Sequence, residues 1–315
     1  MTSAKEIKKR IKSIGNTKKI TKAMEMVAAA KMRRSIEAVL KTRTYANLGW
    51  LTILNIAESL DSGSEKHPLL EKRSKTEKAV IVLISSNRGL CGGFNSAIIN
   101  KAIDSIKKHS EVETDFILIG KKGIAVQKRF GYKVISEFNK DDAAPKVSDV
   151  YPIARFIIDE FLQKRYDKIL MAYTDFVSPT KQVPRVRQIL PFELEGQDEY
   201  LGAVGKSEKL GTTQEFVKNK EKRYLHGSKY LFKYEPSDSE VLDKILPRMI
   251  EVQLYQGLLE SNASEHSARM TSMHQASEAA NDLVEELTLF YNKARQAAIT
   301  SEIAEISAGV ASLKA

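Results

Sequence analysis

Residues 276–308 read ASEAANDLVEELTLFYNKARQAAITSEIAEISA, and this stretch decides the fold. Ala276, Ala280, Leu283, Leu287, Phe290, Ala294, Ala297, Ser301, Ala304 and Ala308 alternate spacings of four and three. An unbroken alternation of that kind is the heptad seam of a coiled coil. Leu and Phe fill its first half, whereas Ala and Ser fill the second, where a partner backbone can approach closely. The coil is therefore expected to be thinnest towards the C-terminus. Residues 239–312 as one helix would extend roughly 110 Å, too long for the core of a globular domain of this size.

The other end of the chain matches it. All eight prolines lie between Pro68 and Pro247, which leaves the first 60 residues free of the residue most hostile to helix interiors. Ile7, Ile11 and Ile14 fall at helical spacing, as do Ile20, Met24, Val27 and Lys31. A helix over residues 4–58 would be roughly 80 Å long. Two such helices must pack on each other, on partners, or on both. The chain is thus read as four parts: an N-terminal coiled-coil helix (1–58), a linker (59–77), a central domain (78–238) and a C-terminal coiled-coil helix (239–315).

The middle alternates strands with helices. Strands are expected at 79–85 (AVIVLIS), 116–120 (FILIG), 132–138, 168–174 and 183–190, and helices near 95–109, 122–130 and 150–164. That order implies a mostly parallel sheet with crossover helices, a Rossmann-like α/β domain. Residues 195–223 are polar and charged and read as a surface insertion.

Charge locates the functional signal. The 315-residue chain carries a net charge of +10. Residues 1–45 hold 13 Lys and Arg against Glu6, Glu25 and Glu37, so the whole excess sits on the first helix. Lys5, Lys8, Lys9, Arg10, Lys12, Lys18, Lys19 and Lys22 surround it, and an acidic partner is implied, either nucleic acid or a protein surface. Aromatic residues for base stacking are missing before Tyr45. The longest clean apolar run, Ala79 to Ile84, is too short to span a bilayer. The basic N-terminus lacks the apolar run of a secretory signal.

Catalytic signals are weak. The turn Asn87–Asn95 (NRGLCGGFN) follows a strand and precedes a helix, so its amides could cradle a phosphate. It lacks the Lys-Ser/Thr pair of a Walker loop and the dinucleotide spacing, and a tight packing turn accounts for it as well. Cys91 is the only cysteine, either a thiol activated at a helix start or a buried structural one. It excludes an intrachain disulfide and fits a reducing compartment. The five histidines are scattered and read mostly as surface groups, and Asp141 and Asp142 as a solvated turn. No catalytic residue, cofactor or metal site is expected.

Several motifs agree with these elements. Ile20 to Arg34 (ITKAMEMVAAAKMRR), Ser86 to Asn95 (SNRGLCGGFN), Val252 to Glu260 (VQLYQGLLE), Tyr291 to Thr300 (YNKARQAAIT) and Glu302 to Gly309 (EIAEISAG) resemble, in this order, the signatures of the gamma subunit of rotary ATP synthases. The resemblance implies a non-catalytic rotor shaft, which couples ion-driven rotation of a membrane c ring to ATP synthesis or hydrolysis on beta subunits. It implies as partners the alpha and beta subunits of the catalytic hexamer, the epsilon subunit and the c ring, with no nucleic acid. It carries Met24, Arg295, Gln296 and Thr300 over as contacts with beta, and Tyr230, Tyr234 and Glu235 as a foot on the c ring. The absence of a transit peptide before Met1 points to the cytoplasmic face of a bacterial inner membrane. The plant relatives' regulatory dithiol has no counterpart in 195–223. The rival readings are a basic coiled coil on nucleic acid and an α/β enzyme with helical arms. Steep salt dependence of DNA or RNA affinity would mark the first, and stoichiometric nucleotide binding the second.

Overall fold

The computed structural model describes residues 4–59, 67–73, 75–142, 145–192, 235 and 237–314. Helix α1 (Ala4–Ser59) opens the chain and helix α5 (Asp238–Lys314) closes it. Between them come β1 (Lys78–Ile84), α2 (Phe94–Lys107), β2 (Glu113–Ile119), a 3-10 turn (Lys121–Ile124), α3 (Ala125–Phe130), β3 (Val134–Phe138), α4 (Val147–Leu162), β4 (Lys168–Ser178) and β5 (Lys181–Leu190). The expected insertion at 195–223 lies outside the described residues. The chain divides into two compact units, Met1–Ala28 with Met270–Ala315, and Ala29–Arg269.

The second unit holds a five-stranded sheet in the order β3-β2-β1-β4-β5. Pairs β1/β2, β2/β3 and β1/β4 are parallel, while β5 returns antiparallel to β4 through a short turn. Strand β1 is buried from Ala79 to Ile84 because both faces of the sheet are covered. On one face Ile98, Ile99, Ala102 and Ile103 of α2 pack on Ile81, Leu83, Phe116, Leu118 and Ala172. Each fully buried aliphatic side chain there contributes about 1.5–3 kcal/mol. On the other face Met171 and Tyr173 of β4 lie against Gly257 of α5. A Cβ at Gly257 would stand 2.7 Å from the Met171 sulfur, so only glycine lets the helix come this close without displacing Met171. Gly49 of α1 plays the same part against Met249, at 2.5 Å.

Residues 59–77 read as a linker, but the described end of that segment is anchored. Leu69 is buried, and its carbonyl accepts a hydrogen bond from the Phe192 amide. Arg73 donates to Asp167 and to the carbonyls of Phe161 and Tyr166.

In the first unit α1 and α5 run antiparallel. Lys18 donates to Asn281 (2.6 Å), Ser277 donates to the Lys18 carbonyl (3.4 Å), and Glu25 meets His274 (3.4 Å), so one number rises as the other falls. The inward positions of α1 are Ile7, Ile11, Ile14, Lys18, Thr21, Glu25 and Ala28. Those of α5 are Met273, Ser277, Ala280, Val284, Leu287, Tyr291 and Ala294. Both rows alternate fours and threes, as knobs-into-holes packing requires.

This corrects the seams expected from sequence. The row Ile7, Ile11, Ile14 is right, but it continues through Lys18, Thr21 and Ala28, and Ile20 and Val27 are exposed. On α5, Ala280, Leu287 and Ala294 are on the seam, whereas Leu283 and Phe290 are exposed and yield to Val284 and Tyr291. Polar seam residues that meet across the pair, such as Lys18 and Ser277, are what disguise the register.

Candidate functional site

The surface of the first unit has two features that ordinary packing does not explain. One is a bare helix. Past Ala294 every residue of α5 through Ala308 is exposed, which leaves roughly 20 Å of helix with no partner among the described residues. Ile299, Ile303 and Ile306 form an apolar stripe along it, with Ile306 62% exposed. A lone helix with an apolar stripe in water is unstable unless something surrounds it. The other feature is on α1, where Ile20, Met26 and Val27 face outward beside exposed lysines. Sequence reasoning placed Ile20 and Val27 in one helical row with Met24 and Lys31 and passed over Met26. Their outward position follows only once the register runs through Thr21 and Ala28.

Met24 is half-buried at the level of the Glu25–His274 contact. Arg295, Gln296 and Thr300 are exposed together on the bare helix, where the Thr300 hydroxyl donates to the Gln296 carbonyl (2.9 Å). The structure groups these three and keeps Met24 roughly 30 Å further along α5. Glu235 is exposed, and Tyr230 and Tyr234 lie outside the described residues. Lys5, Lys8, Lys9, Arg10, Lys12, Lys19 and Lys22 are exposed, and Lys22 pairs with Glu25 (3.0 Å).

In the second unit the crossovers reverse direction at β1, where open α/β sheets place their ligands. The Gly-rich turn stands at that point, and its conformation is set internally. Asn95 accepts from the Ser86 amide (3.0 Å) and exchanges hydrogen bonds with the Ser86 hydroxyl. Cys91 is buried and accepts from Asn95 (3.3 Å). Leu90 and Gly92 adopt positive φ, 63° and 55°. The carbonyls of Arg88 and Gly89 point towards Arg269 of α5 (3.5 and 3.4 Å).

Helix α5 packs beside this turn. Lys140, just after β3, donates to Glu265 (2.5 Å), which also accepts from Arg269 (2.8 Å). Lys140 and Glu265 are almost wholly buried. Burial alone would raise the Glu265 carboxyl, but the two cations outweigh it and hold it below the ordinary value. His266 is buried too, contrary to the surface role expected of it, and burial pushes its imidazole below the ordinary value. Arg269 can only donate, so Nδ1 of His266 accepts from it (3.1 Å) and Nε2 donates to the Asp142 carbonyl (3.0 Å). Asp141 and Asp142 are therefore part of a docked loop, since the Asp141 carbonyl also accepts from Asn262 (3.1 Å). No group of three or more potential metal ligands occurs among the described residues. No described helix is long and apolar enough to cross a membrane.

Residues 3–313 match the family model described as ATP synthase. The gamma chain of ATP synthase from Herpetosiphon aurantiacus is 42% identical over 325 residues, with 99% of each chain covered. The chain belongs to the ATP synthase gamma chain family. The Maridesulfovibrio salexigens gamma chain is 36% identical with full coverage of both. A chain of the Euglena gracilis mitochondrial ATP synthase has the same fold (TM-score 0.62, 17% identity, 98% of this chain and 94% of that chain). So does one from the central stalk and c ring of the Tetrahymena thermophila enzyme (TM-score 0.58, 22% identity, 82% and 99%). As a gamma chain it has a central-stalk role in ATP synthase. The heptad reading and the α/β domain belong to that fold.

Proposed function

We propose that this gamma chain is the non-catalytic rotor shaft of a bacterial ATP synthase, peripheral to the cytoplasmic face of the inner membrane. Its first and last helices (1–58 and 239–315) form the shaft, and residues 78–238 the body beyond a linker. The bare helix after Ala294 carries this reading, because an exposed apolar stripe on an unpartnered helix fits a sleeve of alpha and beta subunits. Met24, Arg295, Gln296 and Thr300 face beta. The basic residues of α1 face acidic beta segments, attracted at long range yet screened enough to turn. Tyr230, Tyr234 and Glu235 face the c ring, with the epsilon subunit beside them. Each rotor angle then favours a different conformation of a beta site, which is how rotation changes nucleotide affinity.

The docking of α5 beside the switch point supports this reading over an enzyme with helical arms, since Arg269 of α5 reaches the carbonyls of the Gly-rich turn. The test is to tag the chain in its host and isolate the complex. One copy should come with an ATP-hydrolysing hexamer and a c ring. Recovery of the chain alone, or with nucleic acid, would sink the proposal. Within the complex, Met24→Lys adds a cation able to pair with a beta carboxylate and should lower ion pumping more than hydrolysis. Equal pumping per ATP would count against Met24 as a beta contact.

A further inference from the structure

Helix α5 is buried on almost every side between Glu251 and Ser267. Apolar packing alone holds a helix in place but is not directional, so it resists turning about the axis poorly. Polar contacts supply that direction here, and they come from two sides. On one side Ser261 accepts from the Thr174 amide (3.0 Å), Ser264 donates to the Thr174 carbonyl (3.1 Å), and Ser267 donates to the Pro179 carbonyl (2.7 Å). On the other Tyr255 donates to the Pro145 carbonyl (2.8 Å) and Asn262 to Asp141, while Glu265 binds Lys140. At about 100° per residue, the two groups are centred roughly 150° apart around the helix. Rotation in either direction breaks bonds on both sides. The charged side costs most, because Lys140 and Glu265 have no water to turn to.

We propose that this two-sided polar clamp keys α5 to the sheet against torque. Lys140, Glu265, Ser264 and Ser267 are its positioning residues, a role that rests on the rotor reading above. The clamp converts force on the sheet into a turn of α5 without slip. Loosening it lets the helix slip under load, so ATP is hydrolysed with less ion moved.

The experiment uses the whole ATP synthase in inverted membrane vesicles, with ATP-driven ion uptake and ATP hydrolysis read on the same sample. Lys140→Met with Glu265→Gln replaces the ionic bond by side chains of similar size. Uptake per ATP should fall about 5-fold while hydrolysis stays within about 2-fold, the low end of ordinary coupling effects. Lys140→Arg keeps the charge and should stay near wild type. Ser264→Ala with Ser267→Ala loosens the other side with little change of volume, and uptake per ATP should fall about 2-fold. A loss of packing alone would lower the yield of complex and leave that ratio unchanged. Wild-type uptake per ATP in an assembled variant of either side overturns the proposal. Should the charged variant fail to assemble, the serine pair decides. Wild-type vesicles that hydrolyse ATP with no ion uptake would instead sink the rotor reading itself.

Discussion

Helix α5 has two stretches of similar composition and opposite surroundings. Glu251–Ser267 holds Glu251, Gln256, Glu260, Asn262, Glu265 and His266 and is buried. Residues 295–308 hold Ile299, Ile303 and Ile306 and are exposed. Polar residues are buried beside apolar ones in the first stretch and isoleucines are exposed in the second, both against the usual partition. The buried stretch tolerates Glu251 and Glu265 because Arg248 pairs with the first and Lys140 and Arg269 with the second. The exposed stretch keeps isoleucines that no described residue of this chain covers. Burial in one helix thus separates the stretch that packs within the subunit from the stretch that does not.

The contrast can be broken most severely at Glu265. Glu265→Leu alone leaves Lys140 buried without a counter-charge and should cost about 3–5 kcal/mol, read by urea unfolding of the purified chain. Gly257→Val overpacks the helix against Met171 and should cost about 1–3 kcal/mol. Ala297→Val on the bare stretch should stay within about 0.5 kcal/mol by the same assay. Equal costs at the two positions would erase the distinction.

Acid should act on the buried stretch. The folded His266 titrates below its ordinary 6.5, so below that pH the unfolded chain takes up a proton that the folded chain does not. Stability therefore falls as pH drops from about 6.5 to the folded value. Glu265 adds a second loss below its ordinary 4.5, as pH falls towards its lowered folded value. His266→Gln should remove the upper step from a pH series of unfolding midpoints and keep the lower one. The smallest effect belongs to the bare stretch. Ile303→Ser should change the chain's own stability by less than about 0.5 kcal/mol, yet lower the amount of chain recovered in the complex. A large loss of stability in the isolated chain would show that the stripe packs within the subunit.

The strands and crossover helices were legible because their apolar runs are bounded by turns. The seams were legible only where apolar residues mark them, at Ile7, Ile11 and Ile14. Beyond Ile14 the α1 row passes through Lys18, Thr21 and Glu25, and periodicity of apolar residues points to Ile20 and Val27 instead. The glycine turn was read as either a phosphate cradle or a packing turn, since spacing alone does not show what packs beside it. The burial of His266 was hidden for the same reason, because its partners Asp142 and Arg269 come from different elements.

By itself the sequence determined that two proline-free helices close both ends around an α/β domain, that the charge excess belongs to the first helix, and that the motifs are those of a gamma chain. Helical and strand periods are local properties, and they survive in one dimension. Tertiary structure decided which face of each helix is inside, that α5 packs beside the switch point, and that Lys140 meets Glu265 across 125 residues of chain. Those depend on which distant groups supply the hydrogen bonds that burial takes away from water, and pairing of that kind is settled only when the elements pack.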